Sequence, residues 1–360
     1  MSNIGEIVLE LPPVKGNPRN SEGAFVELKD GRIMLVYSHY IGDSHDDDAS
    51  AAIAKCYSLD RGKTWSEREI VVMPGAHNAK NVMSVSMLRM KNGDIGLFYL
   101  IRYGWHDMRL NLRRSSDEGQ TWDEPICCIN GPGYYVTNND RVVRLSSGRL
   151  IVAASKHNML RDENAKGKHW DGRGVVYFYY SDDDGFVWNE AKNFSALNSS
   201  NTTSGLQEPG VIELNNNTLW AWARTDLGRQ YEMFSKDMGE TWTPPVPSIF
   251  TAPCSPLSMK RIPHNGYLLA VWNPIPNYQT RVLSKAGWGR TPLVGAISKD
   301  EGTTWNKFFL IDDDDDAGYC YIAIYFVDDA VLLAYCAGGA KEGICLAKLR
   351  VKRIILSDII

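Results

Sequence analysis

The sequence predicts an all-β protein folded as a six-bladed β-propeller. An eight-residue turn motif recurs at intervals of about 60 residues, and six apolar runs of strand length each follow a polar turn. Convincing amphipathic helices are absent from the sequence. Units of four short strands repeated around an axis are typical of propellers, which close into one body. We therefore expect a single domain that spans residues 1–360.

The turn motif has the pattern Ser-x-Asp-x-Gly-x-Thr-Trp. Its copies occupy residues 58–65, 115–122, 181–188, 235–242 and 298–305, and their starts lie 57, 66, 54 and 63 residues apart. The third copy has Val187 in place of the Thr. The Asp can accept hydrogen bonds from the following backbone, the Gly permits a positive φ, and the Trp packs under the turn. Each copy is therefore predicted to be a hairpin turn that supports folding rather than chemistry.

The apolar runs predict one equivalent strand in each of six units. Their sequences are GRIMLVYS, GDIGLFYL, GRLIVAAS, NTLWAWAR, GYLLAVWN and AVLLAYCA. The sixth unit lacks the turn motif and continues into the C-terminus. The segment EIVLEL at residues 6–11 is predicted to supply its missing strand and close the ring. Such closure protects a sheet edge that would otherwise be open.

Composition excludes several functional classes. The net charge is -4 with Lys and Arg scattered along the chain, which argues against a nucleic-acid partner. No apolar run approaches the roughly 20 residues that span a bilayer, and no signal peptide is visible, so we expect a cytoplasmic protein without membrane insertion, a secreted mature form remaining an alternative. The seven cysteines show no zinc-ligand spacing, so we expect reduced thiols, no metal and no cofactor.

The turn motifs, their number and their spacing resemble the Asp-box, or BNR, repeats of the sialidase (neuraminidase) superfamily over essentially the whole chain. This resemblance implies a retaining exo-glycosidase that releases a terminal acidic sugar, sialic acid or a similar one, from a glycan partner. Sialidases use a Tyr nucleophile instead of the usual pair of carboxylates. The resemblance further implies a Glu beside that Tyr, an Asp as acid/base, and arginines that bind the sugar carboxylate.

The resemblance assigns four of these residues. The segment QEPGVIELNNNTLWAWART places the Glu at Glu208 and one Arg at Arg224. The segment GRTPLVGAISKDEGTTW places a second Arg at Arg290, and AGYCYIAIYFVDD places the nucleophile at Tyr319. Glu208 is expected to deprotonate Tyr319, while both guanidiniums bind a carboxylate through paired donors.

The acid is assigned only to a loop. The family has this Asp after the second strand of the first blade, where the chain reads YIGDSHDDDASAAIAKCYS. Counting back from the first turn motif makes Asp47 or Asp48 the best match, with Asp46 as a further possibility. Such a residue would protonate the leaving oxygen.

The first blade departs from the family pattern. The family's Arg-Ile-Pro signature is replaced by NPRNSEGAFVELKDG, which puts Ser21 at the Arg position and Glu22 beside it. Arg19, two residues away, and Arg141, on the third blade, are the candidates to substitute for the missing arginine. This departure leaves two alternatives open: a carbohydrate-binding propeller without catalysis, or a glycosidase or lyase acting on a uronic or neutral sugar. The sequence does not specify the sugar, the linkage or the oligomeric state.

Overall fold

A computed structural model describes residues 3–160, 170–198, 200–275 and 284–360. Within these ranges the fold is all-β, with two short 3-10 helices at Pro74–His77 and Leu356–Asp358. No helix of the described chain has the length and apolar character needed to cross a membrane. The all-β prediction is confirmed.

The described strands follow one another in short antiparallel runs. The first nine are β1 (Glu6–Leu11), β2 (Asn20–Glu27), β3 (Ile33–Tyr40), β4 (Ala51–Ser58), β5 (Glu69–Val72), β6 (Asn81–Arg89), β7 (Ile95–Arg102), β8 (Met108–Ser115) and β9 (Ile126–Cys127). The next nine are β10 (Tyr134–Val136), β11 (Val143–Arg144), β12 (Leu150–His157), β13 (Val175–Ser181), β14 (Asn189–Glu190), β15 (Gln207–Glu213), β16 (Leu219–Arg224), β17 (Arg229–Ser235) and β18 (Val246–Thr251). The last seven are β19 (Ser258–Arg261), β20 (Leu268–Trp272), β21 (Leu293–Ser298), β22 (Asn306–Asp312), β23 (Cys320–Val327), β24 (Ala330–Cys336) and β25 (Leu349–Ile355).

These strands form four separate four-stranded sheets and one nine-stranded sheet within the described residues. The smaller sheets contain β2–β5, β15–β18, β19–β22, and β23–β25 together with β1. In the larger sheet, β10 lies between β8 and β12 and connects the group β6–β9 to the group β11–β14. Consecutive strands therefore fall into six groups of four, two of which share a sheet through β10.

The N-terminal strand completes the last sheet, as predicted. It pairs antiparallel with β25 from Glu6 opposite Arg353 to Leu11 opposite Leu349. The sheet order is β1-β25-β24-β23, so β1 covers the edge of β25 that would otherwise be exposed. Both ends of the chain are thereby joined in one sheet.

The first strands of several groups meet at a common centre. β2 packs against β6 and β23, and β15 packs against β19. Asn139, just before β11, donates hydrogen bonds from Nδ2 to the carbonyl oxygens of Gly23 at 2.7 Å and Tyr321 at 3.1 Å. One amide thus connects three different groups of strands. Polar residues at the starts of these strands are accordingly brought close together.

The turn motifs form the predicted hydrogen-bonded turns. In the first copy, Oδ1 of Asp60 accepts from the backbone N–H of Thr64 at 2.8 Å, and Oδ2 accepts from its hydroxyl at 2.7 Å. Ser58 donates to the same carboxylate at 2.9 Å. Although desolvation acts to raise it, these bonds lower the pKa of Asp60 to about 2. In the third copy, Asp183 accepts from the backbone of Val187 but has no hydroxyl to bond there.

We predict that Val187→Thr stabilises the protein by about 0.5 to 1 kcal/mol, because it supplies the missing hydroxyl donor to Asp183 without changing the β-branched shape. Urea unfolding at pH 7 measures the change. Thr64→Val, which removes the equivalent hydroxyl from the first copy, should destabilise the protein by a similar amount. A stabilising effect of both substitutions would show that the hydroxyl bond is unimportant.

Candidate functional site

Three candidate side chains lie at backbone bulges near the starts of first strands. Glu22, Glu208 and Tyr321 have φ values of 57°, 47° and 60°, in the left-handed region that non-glycine residues rarely adopt. At each position the antiparallel register shifts. A bulge re-aims the side chain of the extra residue, and such strained backbone is concentrated at functional sites. The bulges therefore place these three residues, together with Ser84 on β6, at equivalent positions of their strands.

A chain of buried polar contacts connects two of these groups. The Tyr321 hydroxyl donates to Oε1 of Glu208 at 3.0 Å. Oε2 of the same carboxylate lies 2.9 Å from Nη1 of Arg224. At this separation the two groups form an ion pair, but the atoms are not aligned for a hydrogen bond. Oε2 of Glu208 and Nη1 of Arg224 therefore each retain the capacity to form one. Nε and Nη2 of Arg224 donate to the side-chain oxygen of Gln207 at 3.0 and 2.6 Å, which fixes the orientation of the guanidinium.

The environment keeps Tyr321 as a neutral phenol. Burial has the largest influence and raises the pKa of Tyr321 well above its usual value, and the Glu208 carboxylate raises it further. Arg224 and Arg290 oppose this rise. The phenol proton is therefore directed at an adjacent carboxylate, which is the arrangement of a nucleophile with its general base.

The structure corrects the predicted identity of the tyrosine. The hydroxyl of Tyr319 accepts a hydrogen bond from the backbone N–H of Asp314 at 3.2 Å, and its ring packs edge-on against Tyr335. The expected contact between Tyr319 and Glu208 is thus wrong, because Tyr321 makes it. Tyr319 precedes β23 and binds the backbone oxygen of Arg290, whereas Tyr321 occupies the bulge inside the strand.

Arg290 faces the same space as Arg224. It is buried, and its guanidinium lies 5.5 Å from the ring centre of Tyr321 and 5.0 Å from that of Trp288. Nη1 lies 3.1 Å from the sulfur of Cys320, and Nη2 donates to the carbonyl oxygen of Cys254 at 3.1 Å. Nε has no hydrogen-bond partner within the described part of the chain. The structure therefore brings Glu208, Arg224 and Arg290 together.

Asp47 is the aspartate of the loop that reaches Arg19. Its Oδ1 accepts from Nη1 of Arg19 at 2.6 Å, and its backbone oxygen accepts from Arg102 at 2.8 Å. Desolvation acts to raise the pKa of Asp47, but the Arg19 guanidinium holds it below its usual value. Asp48 is exposed beside it, and Asp46 bonds to Ser44 within the loop at 3.0 Å. Among the three candidates, Asp47 has the partner that connects the loop to the buried groups.

Glu22 lies near the Arg19 guanidinium as well, at Nη2, whereas Asp47 lies at Nη1. It is 4% exposed, and its Oε1 lies 3.6 Å from Nη2 of Arg19. Burial has the largest influence and raises the pKa of Glu22 to about 7, with Asp47 and Glu208 adding to the rise and Arg19 opposing it. Arg19 therefore lies between two carboxylates, of which Asp47 is the one held ionised.

Arg141 does not belong to this group of side chains. Its Nη2 donates to the backbone oxygen of Leu257 at 2.8 Å and its Nη1 to the hydroxyl of Ser258 at 3.2 Å. Desolvation by burial is the main reason that the pKa of Arg141 falls to about 10. These contacts connect β19 to the segment before β11. Two nitrogens of Arg141 are thus held between groups of strands, while its Nε is buried without a hydrogen-bond partner in the described chain. That Arg141 binds substrate stays a prediction.

Sequence reasoning missed a group of thiols behind Tyr321. Cys320, Cys336 and Cys345 are buried and unoxidised, and they pack together with Tyr321 and Leu346. Their spacing in the sequence, on β23, β24 and a later loop, gives no motif that would have revealed the cluster. No set of three His, Cys, Asp or Glu side chains suited to a metal ion occurs among the residues described.

Comparison with known proteins places the chain in a family. The model of the BNR repeat-like domain matches residues 37–333. The chain belongs to the BNR repeat-like domain family. This result agrees with the resemblance carried by the five turn motifs.

The relatives of this BNR repeat-like protein include sialidases. A sialidase from Bacteroides fragilis is 23% identical over 330 residues, which cover 83% of this chain and 56% of that protein. A sialidase from Clostridium perfringens is 27% identical over 191 residues, which cover 46% of this chain and 49% of that protein. The chain thus spans about half the length of the curated relatives it matches.

A solved structure has a similar fold. The sialidase of Trypanosoma rangeli, in complex with 2,3-difluorosialic acid, superposes with a TM-score of 0.68 at 17% identity. The alignment covers 95% of this chain and 55% of that one. At this level of identity the likeness shows the fold of the BNR repeat-like protein.

We predict strong energetic coupling between Glu208 and Arg224. Arg224→Met should destabilise the protein by about 3 kcal/mol, because it leaves a buried carboxylate without its cation. The double variant with Glu208→Gln should be more stable than the sum of the two single changes predicts, by about 1 kcal/mol or more. Urea unfolding of all four proteins gives the coupling energy. Additive effects would contradict a buried ion pair.

Proposed function

We propose that this BNR repeat-like protein is a six-bladed, sialidase-like exo-glycoside hydrolase that releases a terminal acidic sugar from a glycan with retention of configuration. The observation that carries the proposal is the 3.0 Å hydrogen bond from Tyr321 to Glu208, with Arg224 and Arg290 beside it. A phenol bonded to a carboxylate and flanked by two guanidiniums suits attack on an anomeric carbon that bears a carboxylate.

Tyr321 serves as the nucleophile and Glu208 as its base. An anionic nucleophile would be repelled by a substrate carboxylate, whereas the Tyr321 phenol is uncharged until it attacks. As its oxygen forms the bond to the anomeric carbon, its proton passes to Glu208, which is 3.0 Å away. The Trypanosoma rangeli sialidase holds 2,3-difluorosialic acid as a covalent intermediate, which supports a covalent route for a related fold.

Arg224 and Arg290 bind the sugar carboxylate. Nη1 of Arg224 and Nε of Arg290 are buried and have no hydrogen-bond partner among the described residues. Nη1 of Arg224 forms an ion pair with Oε2 of Glu208 but no hydrogen bond, and a sugar carboxylate would give both nitrogens a charge-assisted hydrogen bond. The remaining nitrogens of both side chains are held by Gln207 and by the Cys254 carbonyl, so the donors are oriented before the ligand arrives.

Asp47 serves as the acid that protonates the leaving oxygen. Arg19 stabilises its ionised form, which cannot donate a proton. A substrate anion near Arg19 would weaken this pair and raise the pKa of Asp47, because a neighbouring negative charge favours the protonated carboxyl. The acid would thus become a proton donor only when an acidic sugar is bound.

A binding protein without catalysis is the second candidate. The observation that favours it is the departure at the first repeat, where Glu22 stands near the position of the family's arginine and Arg19 is occupied by Asp47. Such a protein would keep the arginines and the tyrosine of the site and bind glycans without releasing product. Calorimetric binding of a sialylated glycan with no free sugar after long incubation would support this alternative.

We predict that Tyr321→Phe lowers kcat on an aryl sialoside by at least about a thousandfold, because the nucleophilic oxygen is lost. Tyr319→Phe is the matched control and should retain activity within about threefold, since its hydroxyl accepts a hydrogen bond from the backbone of Asp314 and not from the described site residues. Release of the aryl alcohol measures turnover. Activity retained in the Tyr321 variant would disprove the proposed mechanism, and absence of turnover in the wild type would favour the binding protein.

We predict that Asp47→Asn and Asp48→Asn differ in their dependence on the leaving group. Loss of a general acid costs about 100- to 10,000-fold on a substrate with a poor leaving group, and much less when the aryl alcohol leaves readily. Asp47→Asn should show this difference and Asp48→Asn should not. Comparing kcat/KM for a nitrophenyl sialoside and a sialyllactose tests the assignment, and equal losses in both variants would refute it.

A further inference from the structure

We propose that Glu22, as an uncharged carboxylic acid, donates a hydrogen bond to the carboxylate of a terminal acidic sugar and so replaces a guanidinium in the binding site. This inference rests on the proposed function, because it assumes that the ligand is a carboxylated sugar bound beside Arg224 and Arg290. Glu22 would thereby contribute to the specificity of the site for a carboxylated sugar. Its consequence is that affinity for an acidic sugar depends on pH.

The hydrogen bonds around Glu22 leave one oxygen for a ligand. The Ser38 hydroxyl accepts from the backbone N–H of Ser84 at 2.9 Å, so its own proton is directed to Oε2 of Glu22 at 3.1 Å. The Ser21 hydroxyl likewise accepts from Nε of Arg19 at 2.9 Å and donates to the same Oε2 at 3.4 Å. Two serines thus act as donors to one carboxyl oxygen.

Oε1 is therefore the oxygen that carries the proton. Within the described chain both hydrogen bonds to the Glu22 carboxyl end on Oε2, and Nη2 of Arg19 lies 3.6 Å from Oε1, beyond hydrogen-bond reach. A proton on Oε1 can point only towards an acceptor that is not yet present. A substrate carboxylate would accept it, and Nη2 of Arg19, which is buried without a hydrogen-bond partner in the described chain, could donate to the same group.

The backbone directs Glu22 towards the sugar site. It occupies the same left-handed bulge as Glu208 and Tyr321, at φ 57°. β2 packs against β23, the strand that carries Tyr321. The Asn139 amide donates to the backbone oxygens of both Gly23, next to Glu22, and Tyr321, so the two bulges lie close together although they belong to different sheets. Glu22 thus faces the centre where the nucleophile and the guanidiniums meet.

Burial raises the pKa of several groups that surround Glu22, but the Cys320 thiol on β23 departs in the other direction. Although burial acts to raise it, hydrogen bonds with Cys336 and Cys345 and the Arg290 charge hold the pKa of Cys320 well below its usual value. Burial raises the pKa of Glu22 to about 7. On the neighbouring β3, burial raises the pKa of Tyr40 well above its usual value, and on β24 burial raises that of Cys336. Burial lowers the pKa of His39 to about 4.

The charged neighbours stay ionised over the same range. Arg19 remains a cation, and it keeps Asp47 ionised by holding the pKa of that carboxyl below its usual value. His45 is exposed on the loop whose backbone Arg19 contacts, so it needs a control. Ionisation of Glu22 adds one negative charge to the site and converts a hydrogen-bond donor into an anion that repels the ligand. A carboxylated ligand therefore binds more weakly as the pH rises through 7.

Calorimetric titration with N-acetylneuraminic acid between pH 5.5 and 8.5 tests this inference. The sugar carboxylate stays ionised throughout this range. For the wild type we expect a constant Kd at low pH and a rise that approaches about tenfold per pH unit above 7. Glu22→Gln should bind with a Kd independent of pH, because the amide nitrogen is a permanent donor, and should exceed the wild type in affinity at pH 8.5.

Matched variants and a matched ligand separate the possible results. Glu27→Gln, at the far end of β2, and His45→Gln should both keep the pH dependence of the wild type. The methyl ester of the sugar carries no carboxylate charge. Its Kd should therefore depend on pH in the same way for the wild type and for Glu22→Gln. Parallel Kd curves for the wild type and Glu22→Gln would overturn the role of Glu22 and leave the proposed function standing. No binding of the acid to any of these proteins would overturn both.

Discussion

The left-handed bulge at the start of the first strands is the constraint on which the site depends. In a regular strand alternate side chains point into the faces of the sheet, but the extra residue of a bulge breaks this alternation. The cost of a positive φ at a side chain such as Tyr321 is about 1 to 3 kcal/mol. Close packing behind the bulge compensates for it: a Cβ at Gly210 would lie 2.4 Å from the Trp222 ring, so the strand following Glu208 fits only because that position is glycine.

The charges at the centre are balanced in pairs, and the balance is incomplete. Arg224 offsets Glu208, and Arg19 is shared by Asp47 and Glu22. Arg290 has no carboxylate at ion-pair distance in the described chain and is satisfied by a thiol and a carbonyl. Buried guanidiniums do not give up their protons, so a site with this arrangement has a net preference for an anion. The folded protein thus already contains the electrostatic requirement for an acidic ligand.

Local sequence signals predicted the parts of the fold that depend on local hydrogen bonds. The five turn motifs and the closing strand at residues 6–11 were recognisable because each is encoded within a short segment. The contact with Glu208 falls to Tyr321 and not to Tyr319, two residues earlier, because counting along β23 ignores the bulge. Glu22, Glu208 and Tyr321 are each followed two positions later by a small residue. The small residues are Ala24, Gly210 and Ala323. The thiol cluster could not be predicted, since its members meet only in three dimensions.

Arg19, which directly precedes β2, lies two residues before the position where the family has its arginine, and its buried charge accounts for the two carboxylates around it. The guanidinium of Arg19 is 1% exposed and must be neutralised, because it cannot lose its proton. Asp47 supplies one negative charge from the exposed loop, at 2.6 Å. A second ionised carboxylate would then exceed what Arg19 can offset, so the more deeply buried Glu22 is the one that gains a proton. Glu22, as a neutral donor, therefore lies beside the position where the family has a cation. The site can still bind an anion, through a residue whose charge depends on pH.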